Sequence, residues 1–184
     1  MCNKMIKYIN MNIHMNINMD IDNDTNTNND TDKIIEYKPL LELLNDVLHN
    51  QINFQYIKDQ YLQILSYLTH TEPMDNDFFY KKICEINKIG TIIVCYIKPN
   101  IIIGTGTIII EPKIIHGGRS VGHIEDVVIH PLYRNKKIAS GIINKLITQD
   151  NNCYKIILDC DDSLKSFYEK NGFNHKNIQM SLYK

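Results

Sequence analysis

No excess of charge of either sign marks this sequence: 20 Lys and Arg stand against 21 Asp and Glu in 184 residues, for a net charge of -1. A chain so balanced has no global field to draw it to nucleic acid or to an anionic membrane surface, and it lacks the aromatic interleaving of single-strand binders. No apolar run approaches the roughly 20 residues a membrane-spanning helix needs. The five cysteines (Cys2, Cys84, Cys95, Cys153 and Cys160) make no C-x-x-C pair and are odd in number. Most read as small core residues of a reducing compartment rather than disulfide partners, which places the chain in the cytoplasm. The seven histidines form no H-x-x-x-H or His/Cys cluster, so no metal site is expected. The phosphate-cradling fingerprints G-x-G-x-x-G and G-x-x-x-x-G-K-[ST] are absent as well.

What is present divides at residue 32. Residues 1–32 are a low-complexity Asn/Asp-rich segment ("MNIHMNINMDIDNDTNTNNDTD" from Met11 to Asp32) that buries too little to order itself. Residues 33–184 form one domain. Helical spacing of Leu40, Leu41, Leu43, Leu44, Val47 and Leu48 predicts a helix over Pro39–Asn50, with Pro in a favoured first-turn position. Ile52–Ile57 is a strand candidate, Lys58–Leu68 a helix, Thr69–Pro73 a break and Met74–Lys88 another helix. Strands follow at Thr91–Ile97 and Ile101–Ile110, joined by the hairpin signal Lys98-Pro99-Asn100. After a Gly-containing loop come a strand at Gly122–Ile129 and a helix at Arg134–Gln149. A strand at Cys153–Cys160, apolar enough to be covered on both faces, leads into a short helix capped by Gly172, with Leu164, Phe167 and Tyr168 inward. "NIQMSLYK" closes the chain as a last strand. The order predicts a mixed α/β sheet flanked by helices.

The stretch His123–Ile147 carries the chemistry. Its strand, short basic turn and helix make an anion site, because the first amides of a helix lack partners and face outward with the positive end of the dipole. Arg134, Lys136 and Lys137 add charge there. Just upstream, Glu125 and Asp126 sit side by side in the strand, where regular alternation sends them to opposite faces. A β-bulge would redirect one of them and free a backbone N–H, which can then stabilise an oxyanion. A solvated carboxylate, a local ion pair and an ordinary basic surface turn account for the same letters.

From about Thr105 onward the sequence resembles the glucosamine-6-phosphate N-acetyltransferases of the acyl-CoA N-acetyltransferase (GNAT) superfamily. "KIIH" (Lys113–His116), "GHIEDVVI" (Gly122–Ile129), "CYKIILDCD" (Cys153–Asp161) and "FYEKNGF" (Phe167–Phe173) match in letters, order and spacing. The first half fits loosely, through Leu68-Thr69. The resemblance implies the GNAT fold, with a mixed, mostly antiparallel sheet. It also implies acetyl transfer from acetyl-CoA to D-glucosamine 6-phosphate on the way to UDP-N-acetylglucosamine, without a metal, in a homodimer whose subunits share active sites.

Residue by residue, the resemblance implies that Arg134, Asn135, Lys136, Lys137, Ile138, Ala139 and Ser140 hold the coenzyme pyrophosphate. Val127, Val128 and Ile129 would pair with its pantetheine arm. Thr69, Lys113, His116, Glu125 and Asp126 would bind the sugar, with Tyr154 and Lys155 near its phosphate, reaching across the dimer. Glu125 or Asp159 would take the ammonium proton, and Tyr168 would meet the departing thiolate. Each residue has a plainer use: Tyr168 as core filling beside Phe167, Lys113, His116 and Lys155 as solvated polar groups. The turn departs from the superfamily pattern, since Asn135 and Lys137 stand at the usual glycines. Pyrophosphate binding is therefore expected to persist, leaning more on side-chain charge and less on tight backbone contact. Leu164 replaces a frequent Asn, and Tyr183 a frequent Arg. An acetyltransferase for a polyamine or protein amine, or an acyl-CoA-binding module without turnover, are the rival readings.

Overall fold

A computed structural model describes residues 35–49, 54–98, 101–149 and 152–183. Residues 1–32, assigned above to a tail, lie outside the described residues. The elements run β1 (Ile35–Pro39), α1 (Leu40–His49), α2 (Phe54–Ser66), α3 (Asn76–Ile86), β2 (Gly90–Ile97), β3 (Ile101–Glu111), β4 (Ser120–Ile129), α4 (Ile138–Ile147), β5 (Cys153–Leu158) and α5 (Lys165–Lys170). The strands form one five-stranded sheet in sequential order, antiparallel from β1 to β4 and parallel between β4 and β5. Two apolar layers sandwich it. Helices α1–α3 bury Leu44, Ile57, Tyr61 and Phe79 against Ile92, Val94 and Val128, and α4 buries Ile142, Ile143 and Leu146 against Ile93, Ile108 and Ile124.

Several elements differ from the sequence expectation. Phe54–Ile57, expected as strand, is the first turn of α2, whose Phe54, Ile57, Tyr61 and Ile64 recur at helical spacing and are buried. Strand β1 was not expected, although Ile35 and Tyr37 alternate with Glu36 and Lys38. Pro39 closes this strand instead of opening the helix, as Pro can on an edge strand. The expected helix Arg134–Gln149 begins only at Ile138, because a 3₁₀ turn (Pro131–Tyr133) and a non-helical turn precede it. Leu164 is 46% exposed and does not face inward, lying in a 3₁₀ turn before α5 rather than on its buried side.

Strand β5 is not covered on both faces: Lys155 and Ile157 are exposed, since no described element packs on that side. The last strand is absent. Residues 173–183 are irregular and leave Ile178, Met180, Leu182 and Tyr183 85–93% exposed. The alternation of Ile178, Met180 and Leu182 is strand-like, but no edge within the described residues receives it. Of the cysteines, Cys95 is buried, Cys84 and Cys153 are partly buried and Cys160 is exposed, so Cys160 is not a core residue.

Candidate active site

Strand β4 outruns its neighbour. It pairs with β5 only from Ser120 to Ile124, opposite Cys153 to Leu158, and then continues to Ile129 with no strand on that edge among the described residues, while its other edge stays paired with β3. The sheet therefore opens into a cleft between Glu125–Ile129 and the chain leaving β5 at Asp159 and Cys160. His130 N donates to Ile103 O at 2.9 Å on the β3 side. Alternation then turns the backbone of Ile129 and Val127 toward the cleft.

The bulge expected at Glu125-Asp126 is there. Thr107 pairs with Glu125 and Thr105 with Val128, so Asp126 and Val127 together face the single residue Gly106. Asp126 takes φ 54°, in the left-handed region that Asp tolerates better than most residues. Both carboxylates consequently act on the same neighbourhood. Partial burial, then the charges of Asp126 and Asp159, raise the Glu125 carboxyl above the ordinary range. Asp126 is raised by burial alone. Tyr61 of α2 stands beside them: its hydroxyl hydrogen-bonds Thr105 and Thr107, it feels Asp126, and burial pushes it well above the usual tyrosine value. Tyr61 escaped the sequence reading, although the polar Thr105 and Thr107 within an isoleucine-rich strand signal a polar spot on its buried face.

Tyr168 closes the cleft from the other side. Helix α5 presents it 9% exposed, packed edge-on against Phe167 and Phe173. The short helix holds this pose because Gly172, at φ 89°, lets Phe173 N reach back to Tyr168 O at 3.1 Å. Its hydroxyl is raised by burial and by nearby Cys160. Glu125, Asp126 and Asp159 thus share one neighbourhood, and Tyr168 borders it through Cys160, the residue after Asp159.

The basic turn lies at the open end of the cleft. Asn135 and Lys137, the residues in glycine positions, adopt φ 62° each, and Lys137 is the left-handed N-cap of α4. The backbone therefore keeps a left-handed shape that glycines would adopt without strain, and the exposed side chains add charge around it. The amides of Ile138, Ala139 and Ser140 precede the first intrahelical bond, Gly141 N to Lys137 O. Arg134, Asn135, Lys136 and Lys137 are exposed around them. Lys136 Nζ sits 5.5 Å above the Tyr133 ring, and Arg134 Nε donates to Ile129 O at 3.3 Å, occupying one of the carbonyls assigned to the pantetheine arm. Tyr133 packs against His130, and His130 against Tyr67 at the end of α2. This row of rings places the exposed Thr69, whose N bonds Leu65 O, near the same end.

The remaining sugar-site residues lie elsewhere in this chain. His116 stacks on Tyr154 with centroids 4.0 Å apart, and Lys155 Nζ lies 5.7 Å from that ring. They flank Ser120, five residues along β4 from Glu125, or roughly 16 Å at strand rise. Lys113 pairs with Glu111, whose other oxygen contacts His123. Within one chain, then, the four groups at the cleft converge, and His116, Tyr154 and Lys155 make a separate cluster. Among the described residues no group of His, Cys, Asp and Glu is arranged to hold a metal ion, and no helix is long and apolar enough to cross a membrane.

Comparison with known proteins agrees with this geometry. Residues 54–173 match the acetyltransferase (GNAT) family. The glucosamine 6-phosphate N-acetyltransferase of Trypanosoma brucei brucei is 36% identical over 127 residues, covering 66% of this chain and 86% of that protein. The enzyme of the same name from Arabidopsis thaliana is 35% identical over 129 residues, covering 67% and 87%. The crystal structure of the Arabidopsis enzyme superposes with a TM-score of 0.68 at 28% identity, over 82% of this chain and 98% of that one. A Trypanosoma brucei acetyltransferase structure gives 0.68 at 31%, over 82% and 100%. A cleft beside an unpaired strand, a left-handed basic turn opening a helix, and these relatives lead to one assignment: the chain belongs to the acetyltransferase (GNAT) family, alongside its glucosamine 6-phosphate N-acetyltransferases.

Proposed function

We propose that this chain transfers the acetyl group of acetyl-CoA to the amine of D-glucosamine 6-phosphate, giving N-acetyl-D-glucosamine 6-phosphate and CoA, a step toward UDP-N-acetylglucosamine. The observation that carries the reading is the meeting of Glu125, Asp126, Asp159 and Tyr168 where β4 leaves β5, in a chain whose relatives carry that enzyme name. The diphosphate sits on the amides of Ile138–Ser140 and the cations of the turn. The pantetheine arm lies along Val127–Ile129 and brings the thioester to the bulge, where the Val127 N–H faces the carbonyl oxygen as it gains charge. Glu125 or Asp159 removes the ammonium proton, the freed lone pair attacks, and Tyr168 donates to the departing sulfur. Glu125 and Asp126 hold sugar hydroxyls, with Thr69 at the rim.

The active unit is a cytoplasmic homodimer. His116, Tyr154 and Lys155, too far from Glu125 to serve the same sugar, serve the phosphate of the partner's substrate. The exposed, alternating Ile178, Met180 and Leu182 supply an apolar strand for the second copy, and the free thiols suit a reducing compartment. The test is thiol release from acetyl-CoA with glucosamine 6-phosphate against free glucosamine. A wide preference for the phosphorylated sugar is expected. Equal turnover of both, or coenzyme binding without turnover, overturns the assignment.

A further inference from the structure

The acetyl transfer proposed above leaves one proton over. Written in full it is RNH3+ + CH3C(O)SCoA → RNHC(O)CH3 + CoASH + H+. The ammonium gives its first proton to a carboxylate, which frees the lone pair that forms the C–N bond. Collapse breaks the C–S bond, and the sulfur takes a proton from Tyr168, which is restored by the second nitrogen proton. The first proton has no acceptor in the products. It must leave the enzyme each turnover, or the base stays spent.

The sheet holds a route for it. His123 and Glu125 are separated by one residue on β4, before the bulge, so their side chains share a face with Cα atoms roughly 7 Å apart. His123 Nε2 lies 2.9 Å from Glu111 Oε2. Lys113, then His123, hold the Glu111 carboxyl below the ordinary range, so Glu111 is ionised and can only accept a hydrogen bond. The Nε2 atom must therefore carry the hydrogen, which leaves Nδ1 as a lone pair and gives any imidazolium an anion to lean on. His123 is 32% exposed at its side chain, so it keeps access to water further down the strand when a sugar covers Glu125. The charge of a protonated His123 also disfavours the proton on Glu125. The other charged groups around this pair are Asp126 on the bulge, Asp159 after β5 and Lys155 on β5; Tyr61 faces it from α2.

We propose that His123, oriented by Glu111, is a relay and positioning residue that carries the spent proton from Glu125 to solvent. The Glu125 carboxyl gives its proton to Nδ1, through water, and returns as carboxylate; the imidazolium then loses that same proton to bulk water. The inference rests on the acetyltransferase reading, and the experiment separates the two. The unaltered enzyme is assayed first for thiol release from acetyl-CoA and glucosamine 6-phosphate. His123→Gln, which can still donate to Glu111 but cannot carry a proton, is then compared across pH, and His123→Ala is assayed with added imidazole. About a tenfold or greater loss of kcat with little change in either KM is expected for His123→Gln, with the acid limb of kcat moved to higher pH. Imidazole should restore part of the activity of His123→Ala. If His123→Gln fails to fold, Glu111→Gln must show a smaller kcat loss of the same kind. An active parent whose His123→Gln pH profile superimposes on its own, or an imidazole-insensitive His123→Ala, overturns the relay alone. An inactive parent overturns the reading beneath it and the relay with it.

Discussion

Lys137→Gly tests the geometry of the basic turn most directly. Lys137 is held at φ 62°, ψ 10°, and an L-residue in that region costs roughly 1–2 kcal/mol. Glycine removes the penalty but gives back roughly 0.5–1 kcal/mol in unfolded-chain entropy. The exposed cations of the turn also face the positive end of the α4 dipole, a placement that costs a few tenths of a kcal/mol more, about 0.3 or above. The net is a gain of about 0.3–1.8 kcal/mol, which for a domain of this size raises the thermal midpoint by roughly 1–7 °C. Asn135→Gly is the matched control. Its φ is the same 62°, but Asn tolerates left-handed geometry, so its midpoint should stay within about 1 °C.

Coenzyme binding gives the second readout. Lys137→Gly keeps the backbone that presents the Ile138–Ser140 amides and loses one charge. Acetyl-CoA should still bind, with an affinity that falls less steeply between low and moderate salt than that of the parent. Thermal unfolding by circular dichroism and titration calorimetry at two salt concentrations measure both effects. A lowered midpoint for Lys137→Gly, or equal shifts for the two variants, would refute the strain argument. Loss of coenzyme binding would show that the side chain, not the backbone, holds the diphosphate.

Tyr168→Phe keeps the ring packed against Phe167 and Phe173 and removes only the hydroxyl; kcat should fall more than either KM rises, and an unchanged kcat removes Tyr168 from the chemistry. Burial raises the Asp126 carboxyl, so its ionisation favours the unfolded chain, and its stabilising effect, full at acid pH, is lost as pH rises through the raised value. Asp126→Asn should therefore raise the melting midpoint more at pH 7 than at pH 4 while lowering activity, and a pH-independent difference would count against that burial. Gly141→Ala places a methyl where the Tyr37 hydroxyl lies; despite better helix propensity it should cost about 1–3 kcal/mol by overpacking, read by urea unfolding, and Tyr37→Leu in the same chain should recover part of it.

Much of the fold was legible because burial repeats at the period of the element that causes it. Ile138, Ile142 and Leu146 predicted α4, and the isoleucine runs on either side of Lys98–Asn100 predicted the β2–β3 pair. The failures have physical reasons too. Phe54–Ile57 alternates over too few residues to distinguish a strand from one helical turn, and only Tyr61 and Ile64 decide it. Residues 177–184 have the alternation of a strand, but a strand needs an edge, and alternation within one sequence does not say whose edge it is. In the candidate site, motif spacing singled out Glu125, Asp126, Asp159 and Tyr168; the structure sets the three carboxylates within one another's field and Tyr168 beside Cys160. It could not show that His116, Tyr154 and Lys155 stand apart from them, because that depends on the register of β4 against β5. Nor could it single out His123, whose importance follows from Glu111 on the neighbouring strand.

The bulge in β4 explains why an acidic pair is tolerated in a strand whose other members are core. Without the extra residue, Asp126 would point into the α4 layer, among Ile142 and Leu146, where an unpaired carboxylate is costly. With it, Val127 takes that side instead. Gly106, the residue facing the bulge, leaves room there: a Cβ at that position would crowd Ile142, Leu146 and Val127. A missing side chain on β3 thus accommodates an added residue on β4. The same insertion sets Asp126 beside Glu125 and Tyr61 and turns the Val127 backbone to the cleft. One irregularity thus positions both the proposed acid–base groups and the proposed oxyanion donor, so a Gly106 substitution should damage chemistry and packing together.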